Sequence, residues 1–169
     1  MTPENFLLPP NGWVPNNSRL PVLVYRDVLD QTTPNHLASE LEMRFRGNGW
    51  PPAWRGGIFA YHHYHSTSHE LLAVYAGFAR LMLGGPNAHE LKVAPGDAII
   101  LPAGTGHCQI TASNDFAVVG AYPPGQQIFD IRRVAPSAEI SRAIANLAFP
   151  ACDPIEGPGG ALATLWSRG

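Results

Sequence analysis

A chain of 169 residues fits one domain with arms at either end. Its formal net charge is -2, with a single lysine (Lys92) and ten scattered arginines, so a nucleic-acid partner or an anionic membrane surface finds no electrostatic support. Glycine and proline number 17 each and are spread along the chain, which favours many short strands and turns over long helices.

The N-terminus, Met1-Thr2-Pro3-Glu4-Asn5, lacks the basic start and apolar run of a secretory signal. No stretch approaches the length of a membrane span, so a cytoplasmic protein is expected. Cys108 and Cys152 lie far apart and match no zinc-ribbon or redox spacing; they read as two reduced thiols.

The first thirty residues are rich in proline and asparagine. Within them Leu20 to Tyr25 predicts a short strand. A helix follows, with Thr33 as N-cap, Pro34 in its first turn and Gly47 at its stop. Leu37, Leu41 and Phe45 recur every fourth residue and give it one apolar face, to be packed on the main body or against a partner subunit.

From Gly57 to Tyr122 short apolar runs alternate with turns. The predicted strands are Ile58 to His65, Glu70 to Tyr75, Phe78 to Leu83, Glu90 to Val93, Ala98 to Leu101, His107 to Thr111 and Phe116 to Tyr122. The breaks carry turn chemistry, as in Gly84-Gly85-Pro86-Asn87 and Ala94-Pro95-Gly96-Asp97. Seven short strands at regular spacing predict an all-β sandwich or barrel. After Pro123-Pro124-Gly125 the chain leaves this core. Ser137 caps a second short helix bearing Ile140, Ile144 and Leu147, and Ala161 to Trp166 reads as a last strand. The organisation expected is an N-terminal arm with one helix over 1–50, a β core over 51–125, and a helix and tail over 126–169.

The run Tyr61-His62-His63-Tyr64-His65-Ser66-Thr67-Ser68-His69-Glu70 carries the chemistry, answered by Leu101-Pro102-Ala103-Gly104-Thr105-Gly106-His107. In a strand, residues i and i+2 share a side, so His63 and His65 project together with Tyr61, while His62 and Tyr64 point away. Glu70 shares a face with Leu72 and Val74. A carboxylate in such an apolar interior is costly unless paired or metal-bound. Gln109 and Thr111 share the face of His107, whereas Cys108 turns from it. Three imidazoles and a carboxylate form a mixed nitrogen and oxygen set that suits a catalytic transition metal better than a structural zinc. An octahedral divalent ion held this way keeps two open positions. His62 and His69 fall on the opposite faces and read as packing, or as support for a ligand. The four tryptophans read as packing, with a rim position the alternative for Trp50 and Trp54, which precede the first core strand. Tyr61, Gln109 and Thr111 are the cavity-facing candidates for substrate contact, and Tyr61 is the one side chain nominated as a base.

These residues resemble the cupin superfamily. Its first motif runs Gly, five residues, His-x-His, three or four residues, Glu, six residues, Gly; here Gly57, His63, His65, Glu70 and Gly77 fit every spacing. Its second runs Gly, five residues, Pro-x-Gly, two residues, His, three residues, Asn; here Gly96, Pro102, Gly104 and His107 fit, with Thr111 in place of the last Asn. The resemblance covers Gly57 to Thr111. It implies a double-stranded β-helix, or jelly-roll barrel, with His63, His65, Glu70 and His107 ligating one divalent metal: iron, manganese, nickel or zinc. Stretches such as Gly-Ala-Tyr-Pro-Pro-Gly-Gln also resemble a bacterial group of single-domain cupins without an assigned reaction. The function expected is a small-molecule metalloenzyme, of dioxygenase type or isomerase and epimerase type, acting on an oxygen-chelating substrate. The rival reading is a non-catalytic metal-dependent binding or sensing module. The Pro-rich arm and the first helix suggest a homodimer.

Overall fold

The computed structural model describes residues 1–30 and 32–167. Strands dominate, and every pairing between them is antiparallel. In chain order they are β1 (Glu4–Phe6), β2 (Val22–Tyr25), β3 (Pro52–Gly56), β4 (Glu70–Ala76), β5 (Ala79–Leu83), β6 (His89–Val93), β7 (Ala98–Leu101), β8 (His107–Ala112), β9 (Ala117–Ala121), β10 (Cys152–Asp153) and β11 (Gly157–Pro158). The helices are α1 (Pro34–Gly47), α2 (Ala138–Asn146) and α3 (Ala161–Trp166).

A six-stranded sheet runs β1-β2-β7-β4-β9-β3, and a three-stranded sheet runs β6-β5-β8. Neither closes on itself, and the arrangement is compatible with a β-sandwich. Strand β4 shows why. Its run Leu71-Leu72-Ala73-Val74 is buried on both faces, as expected for a strand covered on both sides. Leu72 and Val74 meet Leu81 and Leu83 of β5 and Val118 of β9 between the sheets. Leu71 and Ala73 meet Leu37, Leu41 and Phe45 of α1 on the other side. The apolar stripe of α1, Leu37, Leu41 and Phe45, is therefore covered within its own chain.

Two expectations are corrected. Ile58 to His65 is not a regular strand; His63 and Tyr64 form only isolated bridges, to His107 and Arg132. The edge partner of β9 is the earlier segment Pro52–Gly56. Glycines at 56 and 57 and three imidazoles directed to one point disfavour a continuous ladder there. Ala161–Trp166 is helical, because the buried carboxylate of Asp153 accepts the Leu162 amide at 2.9 Å and starts a turn. Trp50 takes the packing role and not the rim one. It is fully buried in the α1 core and its indole N–H donates to the Cys152 carbonyl at 2.9 Å. Thr33 is the N-cap residue of α1 as expected, although its side chain makes no cap bond, unlike Ser137, whose hydroxyl accepts from the Ile140 amide at the start of α2.

Candidate metal centre

The site lies where β4 and β8 begin. Glu70 opens β4 opposite Leu101 of β7, and its alternation with Leu72 and Val74 turns it into the space between the sheets. His107 opens β8. It exchanges two backbone hydrogen bonds with His63, of 3.2 and 2.9 Å, which fixes the two segments in register. The Gly104 amide then donates to the His65 carbonyl at 2.8 Å. Gly104 sits at φ +89°, and a Cβ there would lie 2.7 Å from the Asn16 carbonyl oxygen, so glycine is needed on both conformational and steric grounds.

The N-terminal arm clamps this turn. Asn16 accepts from the Gly106 amide at 3.0 Å, and Asn17 donates to the Ala103 carbonyl at 3.1 Å. His69, completely buried, accepts the Ala103 amide on Nδ1 at 2.9 Å and tilts against Trp166. Its role is thus to hold the turn leading to His107.

The four candidate ligands are all buried, at 2–4% exposure. The imidazole nitrogens of His63, His65 and His107 lie within 4.8 Å of one another. Glu70 Oε2 lies 3.3 Å from His65 Nε2 and 3.1 Å from His107 Nε2. The outer faces of the rings settle their tautomers. His63 Nδ1 faces the Tyr61 carbonyl at 3.0 Å, His107 Nδ1 faces that of Thr105 at 3.1 Å, and His65 Nδ1 contacts that of Asp130. A carbonyl oxygen only accepts, so each Nδ1 carries a proton, and each ring, when neutral, turns a bare Nε2 lone pair inward. Glu70 Oε2 receives no hydrogen bond either. Inward lone pairs and a carboxylate oxygen at this spacing repel unless a cation lies among them. A buried three-histidine, one-glutamate cluster of this kind is compatible with a metal ion, and carbonyl partners on the outer nitrogens are what ligating imidazoles use.

Without a metal, a proton on His65 takes the place of the cation. Burial, helped by neighbouring His107, pushes His63 down to about 3. Burial disfavours the charged forms of His65 and Glu70 too, but their mutual attraction outweighs it: His65 moves up and Glu70 is held well below the usual carboxylate range.

A cavity of about 200 Å3 opens above the cluster. Its walls are Trp54, Phe59, Leu72, Tyr122, Phe129 and Ile131, among others. The Tyr122 hydroxyl donates to Glu70 Oε1 at 2.8 Å and accepts from the Trp54 indole at 2.9 Å. Gly120 makes room for that indole, since a Cβ there would lie 2.2 Å from the ring. Phe129 stacks on Tyr122 and meets His65 edge-on, with ring centroids at 4.7 and 5.0 Å. It belongs to a strap held down by Asp130, whose carboxylate accepts from the Ser66 amide and hydroxyl and from the Thr67 amide.

Tyr61, Gln109 and Thr111 do not line the cavity. Tyr61 stacks on Phe59 and lies under the Arg133 guanidinium. A bulge in β8 between Gln109 and Thr111 breaks the alternation counted from His107, and Thr111 is exposed. His62 is half-buried outside the cavity, and burial lowers its pKa. Tyr122, Phe129 and Asp130 were missed by the sequence reading. Tyr122 had a signal, as the end of a predicted strand inside the Gly-Ala-Tyr-Pro-Pro-Gly-Gln stretch; Asp130 had none.

Among the described residues no helix is long and apolar enough to cross a membrane. No family model matches the chain. A curated relative, the Bacillus subtilis (strain 168) protein described as "Uncharacterized protein YjlB", is 36% identical over 167 residues, covering 98% of this chain and 97% of that protein. With that identity over nearly the whole of both sequences, the chain belongs to the family of Bacillus subtilis YjlB.

Proposed function

We propose that the chain is a cupin-type metalloprotein in which His63, His65, His107 and Glu70 hold one divalent transition metal for small-molecule chemistry. The observation that carries this is the gathering of three buried imidazoles within 4.8 Å of one another beside the Glu70 carboxylate, with every outer nitrogen facing a carbonyl. A divalent ion held there supplies Lewis acidity and open positions for an oxygen-bearing ligand or dioxygen. The chain does the rest. Tyr122 keeps one oxygen of Glu70 occupied, so that the other faces the imidazoles. Trp54, Phe59, Phe129 and Ile131 give the space above apolar walls.

Among the described residues the walls contain no lysine and no second carboxylate, which supports oxygen chemistry or simple Lewis-acid catalysis over a base-driven isomerisation. The same lack favours, as a second reading, a binder that releases its ligand unchanged. Metal analysis of protein purified from its own host, then turnover of chelating metabolites with and without oxygen, tests both. Metal at far less than one equivalent, with no uptake on reconstitution, would refute the proposal. Oxygen-independent conversion would remove the dioxygenase route, and tight binding without product would favour the binder.

A further inference from the structure

We propose that the open groove between the N-terminal arm and α2, which shares no lining residue with the cavity above the histidines, is a second ligand site. It takes a small organic carboxylate with a flat apolar body, and its occupancy braces the turn that leads to His107. Three observations carry this.

The first is the kind of polar group that the groove leaves uncommitted. Arg19 is exposed, and its one side-chain hydrogen bond among the described residues runs from Nη2 to the Ala145 carbonyl at 2.9 Å. A guanidinium has five N–H donors and no acceptor. The Trp13 indole N–H, also a donor only, has no protein partner among the described residues. The amides of Asn16 and Asn17, by contrast, are spent on the backbone. Among the described residues no carboxylate side chain lines the groove. A cation and a ring N–H are left to meet a visitor, and that set suits an anion.

The second is the apolar surface beside those donors. Trp13, Val14, Pro136 and Ile144 line the same groove. Trp13 tilts against the buried Tyr64 ring at 6.1 Å and packs with Ile144 in one apolar cluster, which holds the indole in place. A flat body gains by covering this surface, whereas a bare inorganic anion gains nothing from it.

The third is what the two walls rest on. From the arm, Asn16 accepts the Gly106 amide and Asn17 donates to the Ala103 carbonyl. From α2, Ile144 stands 3.2 Å from where a Cβ on Gly104 would lie. A ligand bridging arm and helix therefore holds both against the turn before His107. By linkage, whatever keeps the arm docked favours the ligand equally.

Benzoate tests this, with benzamide as its uncharged isostere and acetate as the head group without a ring. Chelator-treated, metal-free protein is titrated with each, followed by calorimetry and by the NMR resonance of the Trp13 indole N–H. Benzoate should saturate with a Kd of about 1 mM or below, and benzamide and acetate should bind about tenfold or more weakly. Arg19→Gln should weaken benzoate by a similar factor, and Arg19→Lys by less. At ten times Kd, hydrogen exchange of the Gly106 amide should slow by up to about tenfold, because the ligand binds only the docked arm. An indole resonance that benzoate leaves unmoved, equal affinity for benzamide, or unchanged binding to a folded Arg19→Gln variant would overturn the site. Unaltered Gly106 exchange at saturation would overturn the brace. Should Arg19→Gln fail to fold, benzoate against benzamide on the wild type decides alone. With metal removed throughout, the result stands or falls separately from the metal-binding reading.

Discussion

Tyr122 and Glu70 share a buried hydrogen bond of 2.8 Å that divides the work of one carboxylate: Oε1 is held by the phenol, while Oε2 is left to the imidazoles of His65 and His107. Burial, and then the negative charge of Glu70, push the Tyr122 phenol upward, so it stays a donor across the working range of the protein. Tyr122→Phe removes that donor and also strands the Trp54 indole. Partners behind a ligand of this sort are worth about 10- to 100-fold in metal affinity. A competition titration with a coloured chelator should show a weakening in that range, and an unchanged affinity would mean that Glu70 needs no orienting.

Metal loading should raise thermal stability, because an ion that binds only the folded chain adds RT ln(1 + [L]/Kd). At one hundred times Kd that is about 2.7 kcal/mol, or a Tm shift of about 5–10 °C for a domain of this size. Glu70→Gln should abolish most of the shift. A ligating imidazole must be neutral and His65 is held toward its charged form by Glu70, so protons compete with the metal there and the shift should also shrink as pH falls. Calorimetric scans with zinc or manganese across pH would show both effects; a shift of equal size in Glu70→Gln would place the ion elsewhere.

The pattern of local chemistry was readable in the chain, and the long-range contacts were not. Period-two alternation located Glu70 on the face of Leu72 and Val74, and that face does look into the cavity. Spaced turn residues placed β4 to β9 to within a residue or two. Counting alternation failed at Thr111, because a bulge is set by pairing with β5 and leaves no local mark. It failed earlier, at Ile58 to His65, because geometry there is dictated by convergence on one point and not by a ladder. Asp130 closes the site across 64 residues of sequence from Ser66. Nothing in Ile-Phe-Asp-Ile announces that a loop will fold back to meet a Ser-Thr turn.

That closure is testable in its own right. Asp130→Ala leaves the Ser66 amide and hydroxyl without their acceptor, a loss of about 1–3 kcal/mol for buried donors. Freed from its anchor, the strap carrying Phe129 should open. Hydrogen exchange over residues 126–134 should accelerate well beyond the change in global stability. Exchange that rises only in step with global unfolding would show that the strap is held by packing alone.

Gly120→Ala should disturb the site without touching a candidate ligand. Its new methyl would fall 2.2 Å from the Trp54 ring, so the indole must swing away and give up the Tyr122 hydroxyl. Overpacking of this kind costs about 1–3 kcal/mol. Denaturant titration should show that loss, accompanied by a red-shifted tryptophan emission as Trp54 leaves the cavity wall. An unshifted emission with full stability would mean that the neighbouring backbone accommodates the methyl.

His69 offers a prediction with a definite sign in pH. Burial, opposed only in part by the Leu147 and Ala148 carbonyls, holds it down to about 4, against roughly 6.5 in an unfolded chain. Between those values the unfolded state binds a proton that the folded state does not. Its contribution is therefore complete above about 6.5 and is lost as pH falls toward 4, at up to about 1.4 kcal/mol per unit. His69→Asn removes the titrating ring but keeps an acceptor for the Ala103 amide; His69→Phe keeps a ring against Trp166 and leaves that amide unpaired. Both variants should flatten the acid limb of the stability curve. At neutral pH His69→Phe should lose about 1–3 kcal/mol for the orphaned amide, and His69→Asn should recover part of that loss despite its smaller side chain. Equal acid slopes in wild type and both variants would show that His69 takes up its proton while still folded, and that the turn before His107 does not depend on a neutral ring.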